Sequence, residues 1–107
     1  MNYLAIDTST DICSVSLFND SKYNTLVKDG TKDHSEYLPV FTKKLLDDNS
    51  VNIKFIALNI GPGSFTGLKI GSSFSKGLAK ALNIPIIPVT SFDALNREIN
   101  LDCYYLA

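Results

Sequence analysis

Much of what usually announces a function is scarce here. The 107 residues contain one histidine and two cysteines, and no block of like charge. Ten basic and eleven acidic side chains nearly cancel and lie scattered, which excludes a nucleic-acid footprint and a polybasic membrane patch. Any RNA the protein works on is expected to be held by another component. No segment approaches the ~20 apolar residues of a bilayer span, and residues 1–7 carry no basic leader. A soluble cytoplasmic protein without a membrane partner is therefore expected. Cys13 and Cys103 stand far apart with no CxxC spacing, which predicts two reduced thiols and leaves a pairing in space open. The length suits one compact domain with a single core and is short for two.

What is present is an ordered succession of short periodic segments. Residues 1–7 form an apolar run, and after the turn-forming Thr8-Ser9-Thr10-Asp11 residues 12–18 alternate. Ile12, Ser14, Ser16 and Phe18 share one face; Cys13, Val15 and Leu17 share the other. Asn19-Asp20-Ser21 turns the chain again, and residues 23–27 return as a third antiparallel strand before Lys28-Asp29-Gly30 breaks it. Asp33-His34-Ser35-Glu36 reads as a capping box opening a helix, with Tyr37, Leu38, Phe41 and Leu45 at helical spacing and Pro39 near the first turn. His34 is expected to be a surface residue of that turn or a contact residue, and residues 47–50 supply the exit.

Residues 55–60 form a nearly continuous apolar run, the pattern of a central strand covered on both faces. A helix over about 64–82 follows. Residues 84–89 read as a fifth strand at an edge, because it carries Pro85 and Pro88. A short capped helix is expected over 94–98, and residues 103–107 read as the start of another strand. The expectation is a domain over 1–100, with 101–107 opening a second half that is cut short. The order β-β-β-α-β-α-β-α, with a hairpin feeding a mixed five-stranded sheet, predicts an α/β domain of the ribonuclease H-like class found in the actin-like ATPase superfamily. Fold alone does not give function.

The most informative segment is Asn59-Ile60-Gly61-Pro62-Gly63-Ser64-Phe65-Thr66-Gly67-Leu68-Lys69-Ile70-Gly71. It reads as a strand end, a tight turn and a helix start: Gly61 and Gly63 allow backbone angles closed to other residues, Pro62 stiffens the bend and Ser64 caps the helix. Gly63, Gly67 and Gly71 recur at i, i+4. Glycine within a helix costs about 1 kcal/mol relative to alanine, a cost that makes sense if another backbone packs closely on that face. The apolar residues of the same helix extend around more than one stripe, leaving a side free to join Tyr37, Leu38 and Phe41 as a contact surface.

Four segments together resemble the TsaB (YeaZ) family: Asp7-Thr8-Ser9-Thr10, His34-Ser35-Glu36 before an apolar helix, Gly61 to Gly71, and Pro88-Val89-Thr90-Ser91-Phe92-Asp93-Ala94-Leu95. The glycine segment is the specific one. Lys69 stands where the family usually has arginine, and the family's second half is absent. The resemblance implies a non-catalytic scaffold that pairs through its first two helices with TsaD, the paralogue that transfers threonylcarbamoyl to adenosine in tRNA reading codons that begin with adenine. TsaE, a P-loop ATPase, joins them, and without TsaD the helices are used for a homodimer. The implied interface residues are Tyr37, Leu38, Phe41, Phe65, Thr66, Lys69, Ile70 and Ser73. ATP and magnesium belong to the assembled complex, tRNA is reached only through it, and no metal is expected, since one histidine cannot build TsaD's paired-histidine site.

Competing readings of the same motifs carry less. Asp7, Thr8, Ser9 and Thr10 are a candidate nucleotide loop of an actin-like small-molecule kinase, with Asp7 holding magnesium, but the usual glycine is missing. The spacing GxGxxxG departs from a dinucleotide fingerprint, and Pro62 lacks an N–H that would cradle phosphate. Ser64 has no GxSxG context, and His34 is the only imidazole that could serve it as a base. Lys76 and Lys80 read as a solvated face.

Overall fold

In a computed structural model, residues 2–20, 22–30, 33–49 and 52–91 are described. They form β1 (Tyr3–Asp7), β2 (Cys13–Asn19), β3 (Lys22–Lys28), α1 (His34–Asn49), β4 (Phe55–Asn59), α2 (Phe65–Leu82) and β5 (Ile86–Val89). The expected helix over 94–98 and strand over 103–107 lie outside the described residues. The five strands make one sheet in the order β3-β2-β1-β4-β5. β1, β2 and β3 pair antiparallel as a meander, while β1–β4 and β4–β5 are parallel.

Alternation along β2 sends Cys13, Val15 and Leu17 inward, where they meet Leu4 and Ile6 of β1, Ile56 and Leu58 of β4, and Leu38 and Leu45 of α1. Ile12, expected as the first residue of this strand, precedes it and is exposed. Asp20 turns the chain into β3 at φ +59°, a left-handed conformation that aspartate tolerates.

β4 differs from expectation. Ile56 and Leu58 are buried, but Phe55 and Ala57 are only half-buried and Ile60 is exposed, so among the described residues one face alone is covered by helices. The reason is topological. Both crossovers, β3 to β4 through α1 and β4 to β5 through α2, step the same way along the sheet, and right-handed crossovers in one direction put both helices on one face. α1 accordingly rests on β2, α2 rests on β4, and the two helices touch each other. On the opposite face Tyr3 stacks between Phe18 and Phe55, with ring centroids 5.0 and 4.7 Å away.

Local chemistry sets the helix ends. The Asp33 carboxylate accepts from the Ser35 hydroxyl at 2.8 Å, and the Glu36 amide donates to the Asp33 carbonyl at 3.1 Å. The Ser35 bond, followed by contributions from Glu36, holds the Asp33 carboxyl below its ordinary pKa. Pro39 lies just beyond the first turn of α1 and cannot supply the helical hydrogen bond to the Ser35 carbonyl. Ser64 caps α2, its hydroxyl accepting from the Gly67 amide at 3.4 Å. At the other end Asn83 takes the left-handed conformation and its amide donates to the Ala79 and Lys80 carbonyls. β5 is an edge strand that begins only at Ile86, and Pro88 there is exposed.

Candidate functional site

The glycine-rich segment and the β1–β2 turn meet in a tight junction. A Cβ placed on Gly63 would collide with the Ser9 carbonyl, one on Gly67 with the Thr8 carbonyl, and one on Gly71 with the Thr8 hydroxyl. The close backbone expected against these glycines is thus the chain's own. Gly63 precedes the Ser64 cap rather than lying inside the helix, and space is what it needs; Gly61, at φ +106°, is the position that needs the angle. The contact is cemented by hydrogen bonds. The Thr8 hydroxyl donates to the Gly67 carbonyl at 2.6 Å, and the Ser64 amide donates to the Ser9 carbonyl at 2.7 Å. Asn59, at the end of β4, accepts from the Gly61 amide at 2.8 Å and from the Ser91 hydroxyl at 3.1 Å.

The same bonds decide what Asp7, Thr8, Ser9 and Thr10 offer a ligand. Thr8 and Ser9 are buried. One Asp7 carboxylate oxygen accepts both the Ser9 amide at 2.9 Å and the Ser9 hydroxyl at 2.7 Å, closing an Asx turn. The two buried hydroxyls are therefore committed within the chain. No group of three His, Cys, Asp or Glu side chains that could hold a metal occurs among the described residues.

His34 departs most from expectation. It is 4% exposed, not on the surface, and its Nε2 lies 2.9 Å from the Thr10 carbonyl. The cause is the orientation of α1, which turns its first residue toward the β1–β2 turn, where Gly67 leaves room for the ring. Cys13 is a buried free thiol; burial first, and the nearby Asp7 carboxylate second, push its pKa up to about 11, so it is an inert core residue. Cys103 lies outside the described residues.

The outward side of the two helices is different in kind. A groove of about 390 Å³ runs between them, lined by Ser35, Leu38, Pro39, Lys69, Ile70, Ser73 and Phe74. Of the residues expected at a partner surface, Leu38, Lys69, Ile70 and Ser73 come together here. Leu38 is fully buried and belongs to the core cluster, so it forms the floor of the groove. Phe65 is 78% exposed, and Thr66, Lys69 and Ser73 are also exposed. Tyr37 and Phe41 are half-buried and pack on one another at 5.6 Å, with the Lys28 ammonium 5.8 Å from the Tyr37 ring. Ser35, Pro39 and Phe74 were not expected at this surface, although Phe74 stands one helical turn beyond Ile70.

A meander feeding a parallel pair, with two helices on one face and a glycine turn after the fourth strand, defines the ribonuclease H-like class used by actin-like proteins. Comparison with known proteins narrows this. Residues 28–104 match the family model described as TsaD, tRNA N6-adenosine threonylcarbamoyltransferase. The chain is 35% identical to tRNA threonylcarbamoyladenosine biosynthesis protein TsaB of Escherichia coli, over 85% of this chain and 41% of that protein. It is 34% identical to tRNA N6-adenosine threonylcarbamoyltransferase of Pelagibacter ubique, over 69% of this chain and 22% of that protein. The solved structure of YeaZ from Pseudomonas aeruginosa superimposes with a TM-score of 0.84 at 33% identity, covering 91% of this chain and 47% of that one. The chain belongs to the TsaD family, in its TsaB (YeaZ) branch. It spans a little under half the length of the TsaB and YeaZ relatives it matches. No described helix is long and apolar enough to cross a membrane.

Proposed function

We propose that this chain is a non-catalytic partner module in tRNA threonylcarbamoyladenosine biosynthesis, pairing through the outward face of α1 and α2 with a TsaD-family protein. The observation that carries this reading is the groove between the helices beside an exposed phenylalanine, Phe65, that packs on nothing the fold requires. The names of the relatives support the pathway. On this reading transfer chemistry, contact with tRNA, and the use of ATP and magnesium belong to the assembled complex, which TsaE joins in the cytoplasm. The same face makes a homodimer when TsaD is absent.

Phe65 and Lys69 are better probes of the face than Phe41 or Ile70, which also pack against the core. Light scattering coupled to size exclusion, on the chain alone and then mixed with TsaD, tests the proposal. The expected result is a dimer that exchanges into a heterodimer, with both species weakened at least roughly ten-fold by Phe65→Asp while thermal unfolding is unchanged, since aromatic anchors dominate such contacts. An indifferent monomer, or a Phe65→Asp variant that pairs normally, overturns it. Calorimetry with magnesium and ATP should show no binding to this chain alone. Binding lost in Asp7→Ala would instead favour a fragment of an actin-like kinase.

A further inference from the structure

Three successive residues of the β1–β2 turn each hold one of the two helices. Thr8 donates its hydroxyl to the Gly67 carbonyl of α2, and the Ser9 carbonyl accepts the Ser64 amide at the α2 cap. The Thr10 carbonyl faces Nε2 of His34, the first residue of α1, at 2.9 Å. A carbonyl only accepts, so Nε2 carries the hydrogen and Nδ1 does not need one. Nδ1 is buried and has no hydrogen-bond partner.

We propose that His34 is a positioning residue, pinning the start of α1 to the β1–β2 turn through Thr10 and so setting the width of the groove between α1 and α2. The inference deepens the partner reading and rests on it for its consequence, though not for its geometry. Two features make the imidazole more than filler. A buried histidine with one ring nitrogen unpaired is an expensive way to fill space, for which an aliphatic side chain would serve. Its Nε2 bond also links this turn to α1, whereas α2 is held to the same turn by the Thr8 and Ser64 bonds. Ser35, directly after His34, and Leu38, one helical turn on, line the groove, so a shift of the α1 start moves one wall while the other stays fixed.

Because the chain has a single histidine, the imidazole nitrogens of a 15N-histidine-labelled sample report on this residue alone. The expected spectrum at neutral pH is the Nε2–H tautomer with a slowly exchanging proton; the Nδ1–H tautomer or a rapidly averaging mixture overturns the proposal without any substitution. Two variants then separate the donor from the volume. His34→Leu keeps an apolar body and loses the donor, whereas His34→Gln restores a donor near the Nε2 position. Pairing with TsaD should weaken roughly ten-fold in His34→Leu, the scale of one buried hydrogen bond, and recover to within about three-fold in His34→Gln. Hydrogen exchange of the Leu38 amide, whose helical acceptor is the His34 carbonyl, should accelerate in the leucine variant only. Equal pairing and equal exchange in all three proteins overturn the proposal, as does a glutamine variant no better than leucine. If the unsubstituted chain does not pair with TsaD at all, the partner reading fails, while the tautomer and the exchange data still decide the role of His34.

Discussion

Along α2, the side turned toward the β1–β2 turn carries Gly67, Gly71, Ser75 and Ala79, all buried, and the side turned outward carries Phe65, Thr66, Lys69 and Ser73, all exposed. At Gly67 and Gly71 the inner side has no side chain because the Thr8 carbonyl and the Thr8 hydroxyl occupy the space that one would need. On the outer side nothing within the described chain limits size, and a phenylalanine stands in solvent. The fold accounts for the two glycines of the first stripe and not at all for the second. A binding role is thus better sought on the outer stripe than in the glycine segment, even though the glycines are the more conspicuous motif.

The comparison breaks most severely at Gly67. Gly67→Val would drive its Cβ into the Thr8 carbonyl and crowd Nε2 of His34, 3.3 Å from that Cβ position. The Thr8 carbonyl is backbone and cannot swing aside. The expected cost is roughly 3 kcal/mol or more, enough to unfold a marginal domain, and urea denaturation followed by circular dichroism would read it. If the variant unfolds at the same midpoint as the unsubstituted chain, the β1–β2 turn does not rest on α2 as described.

Much of the inner side was legible in the sequence because each of its signals has a local cause. The glycine spacing implied a close backbone, Ser64 stands where a cap belongs, and the meander followed from alternation in residues 12–18. The identity of the close backbone was not legible, since Thr8 and Gly67 are 59 residues apart and no periodicity links them. His34 was misplaced for a related reason: a first-turn residue points outward or inward according to which face of α1 meets the sheet, and that is fixed by the crossover and not by the capping box. Leu38 was read as surface because an apolar stripe does not say which of its members form the floor. The apolar run 55–60 was read as covered on both faces; among the described residues helices cover one, and on the other Phe55 stacks on Tyr3.

A smaller effect tests the inner side of the sheet. The Cys13 thiol has its pKa raised to about 11 from an ordinary value of 9.0. Since the folded value is the higher one, the contribution of the neutral thiol to stability is intact below pH 9 and is lost as pH rises toward 11, where the unfolded chain is already a thiolate and the folded one is not. The two-unit separation corresponds to roughly 2–3 kcal/mol lost across that window. Lysines and tyrosines also titrate there, so the measurement is the difference in pH dependence of urea midpoints between the chain and Cys13→Ala. Parallel curves would mean that Cys13 is more accessible than its complete burial implies.

The smallest effect has the opposite sign and returns to α2. Gly77 lies in the same helix as Gly67, is exposed, and has a φ within the range open to any residue; a Cβ built there meets nothing within 4 Å. No close approach justifies this glycine, so only its backbone entropy and poor helix propensity remain. Gly77→Ala should therefore stabilise the chain by about 0.5–1 kcal/mol, a rise in urea midpoint without a change in slope. Set beside Gly67→Val, the pair asks whether tolerance along α2 follows proximity to the β1–β2 turn or follows helix position. A destabilising Gly77→Ala would mean that the exposed side of α2 has a neighbour of its own, and would direct the search for a contact surface toward Lys76 and Lys80 instead of Phe65 and Lys69.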